Sequence, residues 1–263
     1  DPQKRKASKQ KTKLGFREGW TYLSGSAYIR CLALLVICYG MSINIVEVTW
    51  KMKVKEAFPD PNSYSSFLGS FSTWTGVLTV TMMAMGRVIF ERCGWGVAAS
   101  LTPAILGITG FMFFSLIEVP SLWSPVAALL GSTPLMLAVL VGAVQNSMTK
   151  AAKYSLFDPC KEMAYIPLDS EARTKGKAAI DVIGNPLGKS GGSFIQQILI
   201  FTLGSLSAST PALGVILALI LTGWLGAARN LNQQFEELNE QQAQVRKQPN
   251  ADDMSGEESL QTS

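Results

Sequence analysis

Residues Trp95–Ile117 read WGVAASLTPAILGITGFMFFSLI, twenty-three positions without one Asp, Glu, Lys or Arg. A helix needs about 20 mostly apolar residues to cross a bilayer core about 30 Å thick, so this run is long enough to span a membrane. A second uncharged run, Val126–Met148, follows closely. Two such stretches argue against the alternative of a large soluble helical bundle with buried core helices.

Working outward, four further apolar blocks appear: Tyr28–Val48, Phe67–Met85, Ala178–Ser205 and Pro211–Ala228. The fifth block in chain order, Ala178–Ser205, is the least typical. Asp181, Asn185, Pro186 and Lys189 sit in its first half, whereas Phe194–Leu206 is plainly apolar. The expected fold is therefore an all-α integral membrane protein of about six transmembrane helices over 28–228. A basic lead-in, 1–27, precedes them and a polar tail, 229–263, follows. Within that tail the Gln- and Glu-rich stretch up to about Lys247 could continue as helix, and 248–263 is too poor in large apolar residues to pack.

Composition agrees. Of 263 residues, 48% are hydrophobic and only 16% charged, against roughly 25% charged in soluble domains. There is no histidine, and the four cysteines (Cys31, Cys38, Cys93, Cys160) form no CxxC pair. The commonest metal ligand and general base is thus missing, and neither a zinc site nor a disulfide framework is suggested. No cofactor and no metal are expected. The chain opens on Asp1 and reads as a piece of a longer protein.

The basic residues sort by side. Seven Lys and Arg precede the first span, two follow the second, six follow the fourth and three follow the sixth, eighteen in all. The opposite loops hold only Lys51, Lys53 and Lys55. Six spans with both termini on the positive-inside face fit this bias. The basic lead-in is read as a loop held at the bilayer surface by its charge. Nucleic-acid binding is disfavoured, because the run lacks the interleaved aromatics of a base-stacking surface.

Charges inside spans cost roughly 3 kcal/mol each on insertion scales and normally face a partner or a water-filled cavity. Asp181, Asn185 and Lys189 are spaced i, i+4, i+8 and form one polar stripe on a helix. Gly184, Gly188 and Gly192 repeat at the same interval, a spacing that permits close helix packing. Pro186 removes a backbone donor and can kink the helix, freeing carbonyls beside a cavity. Ligand or ion binding at Lys189 is favoured over a lysine snorkelling to the surface. Glu47 closes the first span. On spacing alone an ordinary Glu47–Lys51 pair at i, i+4 and a functional role stand level. The run Gly184-Asn185-Pro186-Leu187-Gly188-Lys189-Ser190 imitates a phosphate-binding P-loop, but it is one residue short and follows no strand. The segment from Phe157 to Tyr165 mixes both charges with aromatics and is read as an amphipathic surface segment.

Lys153 to Gln197, with Lys-Tyr-Ser-Leu-Phe-Asp-Pro-Cys-Lys-Glu-Met-Ala-Tyr-Ile-Pro-Leu-Asp and Asn-Pro-Leu-Gly-Lys-Ser-Gly-Gly, resembles the plastidic and bacterial-parasite ATP/ADP translocases. So do Ser42 to Lys51 and the Gly94-Trp95-Gly96 turn. The resemblance covers nearly the whole chain except its ends. It implies twelve spans in two six-span halves, similar to the major facilitator superfamily and unlike the mitochondrial carriers, with this chain as the C-terminal half and the N-terminal half outside it. It further implies an antiporter, not an enzyme, that exchanges ATP for ADP, with phosphate accompanying ADP in some members. The family's essential C-half glutamate and lysine fall by motif on Glu47 and Lys189. Lys189 is then expected to meet phosphate, with Asn185 and Asp181 beside it, and Glu47 to gate by changing ion-pair partners. Lys161, Glu162 and Lys51 are secondary candidates. Stacking on adenine would fall to Trp50, Trp74 or Tyr165. The plastid inner envelope is the expected membrane, and the inner membrane of an intracellular bacterial parasite is the alternative. The rival classes are a transporter of another phosphorylated metabolite, a membrane-embedded phosphate-handling enzyme, and a channel or structural subunit.

Overall fold

The computed structural model describes residues 15–247, and among them there are helices and turns but no strand. In chain order the α-helices are α1 Phe16–Gly25, α2 Ala27–Ala57, α3 Pro61–Glu118, α4 Pro120–Leu129 and α5 Pro134–Ala152. After a π-turn, Lys153–Phe157, come α6 Asp158–Met163 and α7 Ser170–Ala179. A second π-turn, Ile180–Gly184, leads into α8 Asn185–Leu203, and α9 is Leu206–Lys247. The residues of the tail beyond 247 and of the lead-in before 15 lie outside the described residues.

Four helical stretches are long and apolar enough to cross a membrane: Ala27–Ala57, Pro61–Glu118, Pro134–Met163 and Leu206–Gln244. The second of these holds two of the six expected spans. A straight helix of 58 residues would run about 87 Å, far beyond any bilayer. Gly94 divides it, with φ 77 and ψ 176, the one non-helical residue inside α3. A side chain would be strained at that φ, so glycine permits the break.

Two expected spans are corrected. The run Val126–Met148 is not one helix: Val126–Leu129 ends α4, Gly131 takes φ 63, and α5 starts at Pro134. The Thr133 hydroxyl caps α5 by accepting from the Met136 N–H. Hydropathy passes over this turn because its flanks are apolar. The run Ala178–Ser205 is built from the end of α7, the second π-turn and α8, with Gly204 closing α8 at φ 85. It is not among the four stretches apolar enough to cross, because α8 is rich in polar and small residues, among them Asn185, Lys189, Ser190, Gln196 and Gln197. Pro186 follows directly on the second π-turn, whose wider winding takes up the donor the proline lacks.

Helix α2 is the centre of the bundle, packed on α5, α8 and α9, while α3 lies along α5 and α9. Large aromatics lock these contacts. Trp50 is fully buried and its Nε1 donates to the Val139 carbonyl at 2.9 Å. The Tyr28 hydroxyl donates to the Ala164 carbonyl at 2.7 Å, and Trp95 Nε1 to the Cys160 carbonyl at 2.9 Å. The last two contacts bury one side of the segment from Phe157 to Tyr165 and leave Glu162 exposed, an amphipathic arrangement.

Candidate functional site

The glycine stripe of α8 meets a glycine on α2. A Cβ on Gly40 would stand 2.7 Å from the Gly188 carbonyl carbon, and one on Gly192 would stand 2.8 Å from Asn44 Cβ. Only glycine lets the backbones come this close. Side chains then clasp the crossing. Ser193 Oγ donates to Asn44 Oδ1 at 3.2 Å, and Gln196 Nε2 to the Asn44 carbonyl at 3.2 Å. The crossing places Lys189, on α8, against the same space that Glu47, on α2, faces.

That space is an open cavity of about 600 Å³ between α2, α3, α5 and α8. From α2 it is lined by Tyr39, Gly40, Ile43, Asn44 and Glu47; from α3 by Ser72, Thr75, Gly76 and Thr79. Lys150 of α5, Lys153 and Tyr154 of the first π-turn, and Lys189 complete it. The helix α3 thus contributes a hydroxyl face, and Thr75 Oγ1 is tied to Ser147 Oγ at 2.7 Å.

Three ammonium groups face the cavity against one carboxylate. Glu47 Oε1 is 2.9 Å from Lys51 Nζ and 3.5 Å from Lys150 Nζ. The ordinary i, i+4 pair is therefore present, and a second cation from another helix competes for the same oxygen. The Lys150 ammonium also lies 5.4 Å from the centroid of the Phe71 ring. Lys189 makes no ion pair among the described residues. Three lysines in one concavity suit a polyanion, because each ammonium is a point charge on a flexible stem. The Glu47 carboxylate tempers that attraction, and the hydroxyls of α3 offer further hydrogen-bond donors.

The expected residues divide. The structure brings Lys189 and Glu47 to one cavity, with Lys51 bonded to Glu47 from outside the lining. Asp181 and Asn185 do not line it; Asn185 Nδ2 donates to Asp181 Oδ1 at 3.0 Å instead. Lys161 and Glu162 are also elsewhere, engaged with Asp158 at 3.7 Å and with Lys177 respectively. None of the three aromatics expected to stack lines the cavity: Trp50 and Tyr165 are buried in the core, and Trp74 is 71% exposed. Lys150, Lys153 and Tyr154 were missed. They share a helix face at i, i+3, i+4, but they end a span, where basic residues read as positive-inside flank. The P-loop imitation around Lys189 is helical throughout, with Gly184 in αR conformation.

Long apolar helices around a cavity lined by three lysines define a helical membrane protein. The chain belongs to the TLC ATP/ADP transporter family, whose model matches residues 1–235. It is 57% identical over 92% of its length to "ADP,ATP carrier protein 1, chloroplastic" of Arabidopsis thaliana, of which it covers 39%. To "ADP,ATP carrier protein 1" of Chlamydia muridarum it is 52% identical over 89% of its length, covering 45% of that protein. To the protein of the same name from Rickettsia prowazekii it is 41% identical over 90%, covering 48%. The chain thus spans between about two fifths and half of these relatives. No solved structure matches.

Proposed function

We propose that the chain is the C-terminal half of an antiporter that exchanges ATP for ADP across the plastid inner envelope, phosphate accompanying ADP. The names of the relatives support the nucleotide pair. The observation that carries the reading is Lys189, a lysine without an acidic partner among the described residues, held in a cavity beside Lys150 and Lys153. Such a site offsets the phosphate charges, and the pair Glu47–Lys150 supplies a release mechanism. When phosphate draws Lys150 away, Glu47 keeps Lys51; when phosphate leaves, Lys150 returns. Carriers of this architecture place the site near the midplane between halves, and rocking of one half on the other alternates access.

Counter-flow tests this in proteoliposomes holding the full-length carrier. ATP uptake should rise when ADP is trapped inside. Uptake indifferent to internal ADP would indicate a channel, and chemical conversion of ATP an enzyme; either overturns the reading.

A further inference from the structure

A nucleotide has two ends, and the lysines answer only for the phosphates. The purine is a flat, apolar-faced ring that needs a matching surface. Two aromatic side chains line the cavity among the described residues, Tyr39 and Tyr154. Tyr39 is already packed: Phe157 stacks on it at 4.4 Å between centroids and Trp224 meets it edge-on at 5.8 Å. Tyr154 is half exposed, at 50%, with the Lys153 ammonium 4.9 Å from its ring centroid. No ring stacks on it among the described residues.

The π-turn makes this difference. A regular α-helix would carry the stripe of Lys150, Lys153 and Tyr154 on to position 157. The turn inserts one extra residue, its Asp158 N–H bonding back to the Lys153 carbonyl. Ser155, Leu156 and Phe157 are consequently buried, and Phe157 backs Tyr39. Tyr154 is left as the last side chain of the stripe to face the cavity. Irregularities of this type recur at functional sites.

The geometry points to Tyr154 as the residue that stacks on the purine ring of the transported nucleotide, with Lys153 set between the ring and the phosphates. The inference rests on the nucleotide reading above. Stacking recognises a flat ring and is tolerant of phosphate number, so ATP and ADP gain equally from it. That equality is what an exchanger of the two needs.

The test is equilibrium binding of ATP, ADP, adenosine and inorganic tripolyphosphate to full-length wild-type carrier, Tyr154→Phe, Tyr154→Leu and Lys189→Ala in detergent at fixed salt. Tyr154→Leu keeps most of the volume, and Tyr154→Phe keeps the ring. Tyr154→Leu should weaken ATP, ADP and adenosine by a common factor of about tenfold. Tripolyphosphate should be untouched, and Tyr154→Phe should bind all four like wild type. Loss of tripolyphosphate binding in Tyr154→Leu, or no loss of ATP binding, overturns the assignment. If tripolyphosphate and ATP bind wild type equally, the base is not read at all and the stacking inference falls, while the phosphate site stands. If wild type binds neither, the nucleotide reading itself falls, and this one with it.

Discussion

Glu47 Oε1 lies 3.5 Å from the ammonium of Lys150, a residue more than a hundred positions away, and 2.9 Å from that of Lys51, one turn along its own helix. The two contacts differ in kind. The Lys51 pair comes with the helix, whereas the Lys150 pair exists only because α5 packs on α2. A carboxylate shared in this way can release one cation without being stranded, and the stranding of a charge in a span is the costly event.

Glu47→Gln should therefore slow ATP/ADP exchange while leaving equilibrium ATP binding within a few fold. Amide oxygen still accepts from Lys51 or Lys150, but the charge that draws Lys150 back on release is gone. Initial uptake rates and a binding isotherm on the same preparation check this. A binding loss beyond tenfold in a protein that unfolds at the wild-type temperature would assign Glu47 to the substrate instead.

Lys189→Ala should weaken ATP about tenfold or more, the scale of one charge-assisted hydrogen bond, and adenosine hardly at all. Lys189→Arg should also be impaired, because a planar guanidinium fills the site differently from an ammonium. Equal losses for ATP and adenosine would make Lys189 a support for the bundle rather than a reader of phosphate.

Gly40→Ala should cost about 1–3 kcal/mol, the usual penalty for forcing a methyl into packed structure. The neighbour in the way is Gly188 backbone, which cannot rotate aside like a side chain. Thermal unfolding in detergent should show the drop, and exchange should fall with it, since the same crossing sets Lys189 against Glu47. An unchanged unfolding temperature would mean the two helices separate more easily than the contact implies.

Trp50→Phe should cost about 1–3 kcal/mol, because a buried hydrogen bond to the Val139 carbonyl is lost and the smaller ring leaves a void in the core. Trp50 lies outside the cavity, so nucleotide affinity should not move. A change in affinity larger than the change in stability would place Trp50 nearer the substrate than its burial suggests.

Cysteine labelling at positions 8 and 259, in a background without the four native cysteines, should report the same side of the membrane. The expectation follows from the distribution of Lys and Arg. Opposite sides would contradict the six-span topology.

Hydropathy was enough for the membrane class, because an uncharged run such as Trp95–Ile117 has few other stable environments. The same local signals marked Gly184, Gly188 and Gly192 as a packing stripe and Glu47 and Lys51 as neighbours, since helical spacing determines which side chains share a face. Local signals failed where the partner is distant. Nothing near Glu47 in sequence announces Lys150, and the apolar flanks of the turn at Gly131 disguised it as helix. Asp181 and Asn185 were grouped with Lys189 by spacing, but they bond each other while Lys189 faces the cavity. The cavity is a property of four helices at once, and its cations come from different segments of the chain. Their convergence required the crossing of Gly40 on Gly188, and the extra residue of the Lys153–Phe157 turn made Tyr154 the last of its stripe. A close backbone approach and a rotation of helix register act through three-dimensional contact, so only the tertiary structure could decide them.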